Sequence, residues 1–225
     1  MCGLAGIASS ENPDEIQASL LKMLDLIRHR GPDGQGMELY PLNAGTTLAL
    51  GHQRLAIIDT TDAGLMPMSS HNGKLSIVYN GEIYNYLELK EELKSLGHNF
   101  NTDTDTEVLL YSYIQWGEEC LNKLNGMFAF AIFEHETKDI FLARDRFGVK
   151  PLYYFHDDNH FLFASEIKSI LSHPNYQIMV NETALGRFLY TGLLNDNEET
   201  FFSSIFSLEP GHSMRYQNGS LFYKR

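Results

Sequence analysis

Residues 127–133, Met-Phe-Ala-Phe-Ala-Ile-Phe, carry no polar side chain at any position. Phe128, Phe130 and Ile132 alternate with Ala129, Ala131 and Phe133, so a strand here is apolar on both faces. Such a strand has to be covered on two sides, which places it at the centre of a layered fold rather than at an edge. Residues 139–144 follow closely enough to pair with it as a hairpin. Further β-rich runs are expected at 2–8, 47–58, 74–79, 152–156 and 161–164.

Helical patterns separate these runs. Asn12 and Pro13 form a start signal, and Ile16, Leu20, Met23, Leu24 and Ile27 then fall on one face of a helix reaching Arg28. A second helix is expected over 86–96, stopping at Gly97. A third runs over 105–116, capped by Thr104 or Asp103 and stopping at Gly117. Shorter helical pieces are expected at 118–124, 165–171 and 182–190. Strands and helices in mixed order predict an α+β fold. From Ile178 onward the pattern thins, with turn signals at Pro210-Gly211 and Asn218-Gly219, and nothing closes the chain after Lys224-Arg225.

Composition narrows the function. Lys and Arg number 17 against 29 Asp and Glu, a net charge of −12 with no basic stripe, which excludes a nucleic-acid partner. No apolar run approaches the ~20 residues that span a bilayer, so no membrane segment is expected. Cys2 and Cys120 cannot build a disulfide framework, and no signal peptide precedes them, so a reducing, cytoplasmic setting is expected. The glycosylation triplets at Asn181 and Asn218 are then chance matches.

The chemistry-bearing feature is Met1-Cys2-Gly3. Removal of the initiator methionine would leave a terminal cysteine, which carries both a thiol nucleophile and an amine whose ordinary pKa is about 7.7–8.0. That amine can take the thiol proton directly or through one water. A buried cysteine in the first strand is the ordinary alternative.

Six further runs bear on that choice. After Cys2-Gly-Leu-Ala-Gly-Ile7 come Arg28-His-Arg-Gly-Pro-Asp-Gly34, Gly51-His-Gln-Arg-Leu-Ala-Ile-Ile-Asp59 and Tyr79-Asn-Gly-Glu-Ile-Tyr-Asn-Tyr86. Asp105-Thr-Glu107, Leu124-Asn-Gly-Met-Phe-Ala-Phe-Ala131 and Ala143-Arg-Asp-Arg-Phe-Gly-Val-Lys-Pro-Leu-Tyr153 follow. In this order and spacing they resemble the glutaminase domain of glutamine-hydrolysing asparagine synthetases, which are class II amidotransferases among the N-terminal-nucleophile hydrolases. Arg54-Leu55-Ala56, Glu82-Ile-Tyr-Asn85 and Arg144-Asp-Arg-Phe-Gly148 separate that branch from the glucosamine-phosphate and purine-pathway amidotransferases. The resemblance implies a four-layer αββα sandwich. It also implies a glutaminase domain over 1–180, with 181–225 its end and the start of a connection to a synthetase domain absent here.

The resemblance assigns roles residue by residue. Cys2 is the nucleophile. Asn80 and Gly81 hold the oxyanion, a device worth ~3 kcal/mol per donor; an Asn-Gly hairpin turn, where the strand ending at Tyr79 breaks, is the alternative. Arg54, planted in an apolar alternation, matches the arginine that grips the glutamine α-carboxylate. A structural salt bridge to Asp59 or Glu82 would also account for it. The backbone from Leu55 through Ala56 and Ile57 to Ile58 lines the pocket, while Glu82 and Asp105 face the α-ammonium. Asp105 also has an ordinary use as a helix cap.

Other signals carry no site. Asp103, Asp105 and Glu107 alternate like a calcium loop but lack its glycine at Val108, and no metal site is expected. His156, Asp157, Asp158 and His160 read as a solvated hairpin tip. His29 and His52 read as structural, and Cys120 as packing. Met66 stands where the family often has glutamine, a departure expected to touch only loop packing.

The expected partners are L-glutamine and the absent synthetase domain, with a homodimer left open. No cofactor is expected for this domain; ATP and Mg belong to the absent one. Two rival readings are a glutaminase serving a non-aspartate acceptor and a non-catalytic module of the same fold.

Overall fold

A computed structural model describes residues 1–43, 45–193 and 197–225. Among them the chain runs β1 (Gly3–Ser9), α1 (Pro13–Leu26), β2 (Gly34–Pro41), β3 (Thr47–Arg54), β4 (Met68–Ser69) and β5 (Leu75–Ile83). Then come α2 (Tyr86–Ser95), α3 (Asp105–Trp116), α4 (Cys120–Lys123), β6 (Gly126–Glu134), β7 (Ile140–Arg144), β8 (Tyr153–His156) and β9 (His160–Ala164). The rest are α5 (Ile167–Leu171), α6 (Glu182–Thr191), β10 (Ile205–Ser207), β11 (Ser213–Gln217) and β12 (Ser220–Lys224).

The doubly apolar strand is β6. It lies between β5 and β7 in a six-stranded antiparallel sheet of order β12-β11-β7-β6-β5-β4. On one face Phe130 packs near Phe141, which stacks on Tyr113 of α3; on the other, Phe133 meets Tyr40 of β2. Tyr40 belongs to the second six-stranded sheet, β10-β8-β9-β1-β3-β2, which faces the first. The one apolar strand thus touches a helix layer on one side and a sheet on the other.

Every residue of β1 is buried. Leu4 and Ala8 join the core between the sheets, and Ala5 and Ile7 join Ile16, Leu20, Met23, Leu24 and Ile27 beneath α1. Asn12 caps α1 by accepting from the Asp14 amide, with Pro13 at its first position. Helices therefore cover both outer faces, and the expected αββα sandwich is present. α3 starts at the Thr104 cap and ends at Gly117, whose φ of 57° ordinary residues avoid.

Several expectations need correcting. β5 does not break after Tyr79: Asn80 pairs with Ala129, Gly81 with Phe128, and the ladder runs on to Ile83. Asn80-Gly81 is therefore not a hairpin turn, because pairing to β6 outweighs the local turn preference of that dipeptide. β3 stops at Arg54, not Ile58. Beyond it the Ala56 amide turns to the Asp33 carboxylate at 2.9 Å, which takes the segment out of the ladder. Strand β2 was not foreseen, since its two glycines, terminal proline and half-exposed pattern hide its period. The thin region after Ile178 contributes β10 to one sheet and β11 and β12 to the other, joined at Asn218-Gly219. His160 does not sit in a solvated tip: its ring lies between Asp157 at 3.0 Å and Glu11 at 3.3 Å. No helix among the described residues is long and apolar enough to cross a membrane.

Candidate active site

Cys2 immediately precedes β1, and Arg54 ends β3. The antiparallel register that pairs Gly3 with Gln53 sets them side by side. Across from them run the last residues of β5 and the first turn of α3. A cavity of about 290 Å³ opens between these elements.

Cys2 is half-buried, and its contacts are with backbone. The Leu55 amide donates to Sγ at 3.3 Å, and the thiol reaches the Leu55 carbonyl at 3.6 Å. Arg30 fixes the residue from behind, donating Nε–H to the Cys2 carbonyl at 2.9 Å. Burial pushes the thiol up, while the Leu55 amide, the chain's amino terminus and Arg54 pull it down. Met1 lines the cavity next to the sulfur.

Asn80 is 1% exposed, lies on the cavity wall, and its Nδ2 has no hydrogen-bond partner among the described residues. A buried amide left unpaired costs roughly 1–3 kcal/mol, so its place at the cavity calls for a ligand atom. Gly81 is the next residue on the same wall. A Cβ there would run into the Met127 carbonyl oxygen and the Tyr79 ring, so the close approach of β5 and β6 requires glycine.

Arg54 is 7% exposed, and its partners are not carboxylates. Nη1 donates to the Thr61 carbonyl at 2.6 Å and Nη2 to the Asp59 carbonyl. The Asp59 carboxylate is occupied by the Thr61 amide and hydroxyl. The salt bridge to Asp59 or Glu82 held open by the sequence therefore does not form among the described residues. The guanidinium keeps donors for an anion in the cavity that it lines.

Asp105 is not the cap of α3, a place Thr104 takes, but its first residue. Its Oδ2 accepts from the Tyr79 hydroxyl at 2.7 Å and the Ile83 amide at 3.0 Å. Burial raises its carboxyl above the usual range, and those two donors oppose the shift. Glu82 lines the cavity beside it. Leu55, Ile57 and Ile58 also reach the wall. Ala56 does not, because its amide is turned to Asp33.

The structure thus gathers Cys2, Arg54, Leu55, Ile57, Ile58, Asn80, Gly81, Glu82 and Asp105 at one cavity and leaves out Ala56. It adds Tyr79, Met66 and Lys150, which sequence reasoning missed. Met66 is a wall residue rather than mere loop packing. Lys150 lies within the Ala143–Tyr153 run. His52 is fully buried and is not among the wall residues. It donates Nε2–H to the Tyr79 carbonyl at 2.8 Å, so it ties the two sheets together and stays neutral, pushed down to about 4 chiefly by burial. His29 contacts Glu166 at the surface, and Cys120 is core, its thiol pushed up to about 12 by burial. Among the described residues no group of three or more His, Cys, Asp or Glu is arranged to hold a metal ion.

The family model described as "Glutamine amidotransferase domain" matches residues 1–225. Asparagine synthetase [glutamine-hydrolyzing] 3 of Bacillus subtilis (strain 168) is 37% identical over 226 residues, covering 98% of this chain and 36% of that protein. Asparagine synthetase [glutamine-hydrolyzing] 3 of Arabidopsis thaliana is 38% identical over 172 residues, covering 76% and 28%. The chain spans only about a third of the length of these relatives. Among solved structures, glutamine phosphoribosylpyrophosphate amidotransferase from B. subtilis superposes with a TM-score of 0.69 at 22% identity, over 100% of this chain and 49% of that one. A second, described as the allosteric regulatory enzyme of purine biosynthesis, gives 0.70 at 23%, with the same coverage. At these identities the two structures speak for the fold.

Proposed function

The chain belongs to the glutamine amidotransferase domain family, and from that premise we propose that it hydrolyses L-glutamine to L-glutamate and ammonia through a thioester on Cys2. Once Met1 is removed, the Cys2 α-amine accepts the thiol proton and the sulfur attacks the side-chain carbonyl carbon of glutamine. The carbonyl electrons move to oxygen, and the Asn80 amide and Gly81 N–H stabilise that oxyanion. As it collapses, the α-ammonium returns its proton to the departing nitrogen, ammonia leaves, and the thioester remains. Water then adds, giving its proton to the α-amine, and a second collapse releases glutamate and restores the thiol. Arg54 grips the substrate α-carboxylate; Glu82 and Asp105 face its α-ammonium.

The observation that carries this reading is the unpartnered Nδ2 of Asn80 on the cavity that also holds Cys2 and Arg54. In the longer protein, ammonia would pass to an ATP- and Mg-dependent synthetase domain acting on aspartate, a reading supported by relatives named as glutamine-hydrolysing asparagine synthetases. The present domain needs no cofactor of its own in this scheme, and the setting is cytoplasmic. Light scattering on the same preparation tells a monomer from a homodimer. To test the reaction, methionine-free protein and a Cys2→Ala variant are incubated with glutamine. Glutamate should appear with the first alone, while calorimetry shows that both bind glutamine. Equal release from the two would overturn the assignment.

A further inference from the structure

Arg144 and Asp145 clamp the loop between β7 and β8 from both sides. The Asp145 carboxylate, 1% exposed, accepts four backbone amides: Phe147 and Val149 at 3.0 Å, Lys150 at 3.0 Å and Phe128 at 3.2 Å. The Arg144 guanidinium takes the carbonyls of Gly148 at 2.7 Å and Lys150 at 2.8 Å. Both clamps end on the backbone of Lys150, whose side chain lines the cavity that holds Cys2.

Lys150 is 5% exposed, and its ammonium has no hydrogen-bond or ion-pair partner among the described residues. Arg146, in the same loop, is satisfied by the carbonyls of Leu124 and Leu121. The loop therefore has the means to satisfy a cation, yet leaves this one bare at the cavity. The Lys150 Nζ is not among the buried atoms left without a partner, so the ammonium opens onto the cavity, where the clamped loop holds a positive charge beside Cys2. Burial holds Lys150 below the ordinary lysine range; Glu82, Cys2 and Asp145 oppose that, and Arg30 adds to it.

We propose that Lys150 is a positioning residue whose ammonium sets the protonation of Cys2, favouring a readily ionised thiol beside a neutral α-amine over the α-ammonium form. This rests on the amidotransferase reading above. The charged and titratable groups around Cys2 are Arg30 behind it, Arg54 at the end of β3, Asp59 in the segment that follows, Tyr79 and Glu82 on β5, Asp105 on α3 and Lys150 on the β7–β8 loop. A cation among them makes it easier for the sulfur to lose its proton. The same cation makes it harder for the amine to hold one, so both effects favour a nucleophile with its base ready.

The test uses methionine-free wild type, Lys150→Gln, Lys150→Met and Lys150→Arg. Two pH profiles are recorded: kcat/KM for glutamate release, and the rate of Cys2 alkylation by iodoacetamide, read by mass spectrometry of the N-terminal peptide. Both midpoints should move up by about half a pH unit in the uncharged variants, with alkylation about threefold slower on the acid side, and return in Lys150→Arg. Having two uncharged variants keeps the test decisive if one fails to fold. Unmoved midpoints in a folded uncharged variant would overturn the proposal, and so would a rise in KM alone, which would make Lys150 a ground-state ligand. A wild type that releases no glutamate would sink the amidotransferase reading, while the alkylation profile would still decide Lys150.

Discussion

Leu55 holds the Cys2 sulfur with its backbone, its amide donating to Sγ at 3.3 Å and its carbonyl accepting from the thiol at 3.6 Å. Leu55 is the first residue past the end of β3, so its peptide groups are free of the ladder and available to the sulfur. No imidazole or carboxylate contacts that sulfur among the described residues. Any base for it has to come from the terminus itself.

Met1 is therefore decisive for activity. While it is attached, the Cys2 nitrogen is an amide without a basic lone pair, and the Met1 side chain shares the cavity wall with the sulfur. Protein that retains Met1 is expected to be folded and nearly inactive. Intact-mass spectrometry identifies each form, and a glutaminase assay on each pure form decides. Equal activity would remove the α-amine from the mechanism.

Asn80→Ala removes a donor that has no other partner. Because the charge it meets develops mainly in the transition state, kcat should fall by ~10²–10³ with little change in glutamine affinity. A raised KM at unchanged kcat would make Asn80 a binding residue instead.

For Arg54→Lys the expected outcome is weaker glutamine binding, with KM up about tenfold. Lysine keeps the charge but cannot hold the Asp59 and Thr61 carbonyls with one fork and still present donors to a carboxylate. An unchanged KM in a folded variant would confine Arg54 to tethering that loop.

His52 makes the fold sensitive to acid. Its folded value of about 4 lies below the ordinary 6.5. Between those values the unfolded chain binds a proton that the folded chain refuses. The stabilisation is thus complete above the ordinary value and is lost progressively as pH falls to the folded one, about 3 kcal/mol in all. Melting temperatures recorded near neutrality and near pH 4.5 should fall less on acidification for His52→Gln than for wild type. Equal falls would clear His52 of that role.

The residues alone reveal much of this protein wherever the physics is local. The α1 start at Asn12-Pro13, the α3 stop at Gly117 and the two-faced apolarity of β6 are set by side chains within a few positions of one another. The Cys2, Arg54, Asn80 and Asp105 signals are legible because their spacing repeats a family pattern, and the four segments that carry them meet at one cavity. Tertiary structure alone decided the rest. Asn80-Gly81 carries a strong turn signal, yet β6 draws it into a ladder, since pairing energy comes from a strand over forty residues away. Arg54 could have met a carboxylate, but its fork lands on two carbonyls because the loop after β3 folds back over it. Lys150 carries no signal of its own in the sequence beyond its place in the Ala143–Tyr153 run. Its burial follows from a loop clamped by Asp145 to a neighbouring strand, and a sequence cannot show which cations are left without a partner, because that depends on everything else brought within a few ångströms.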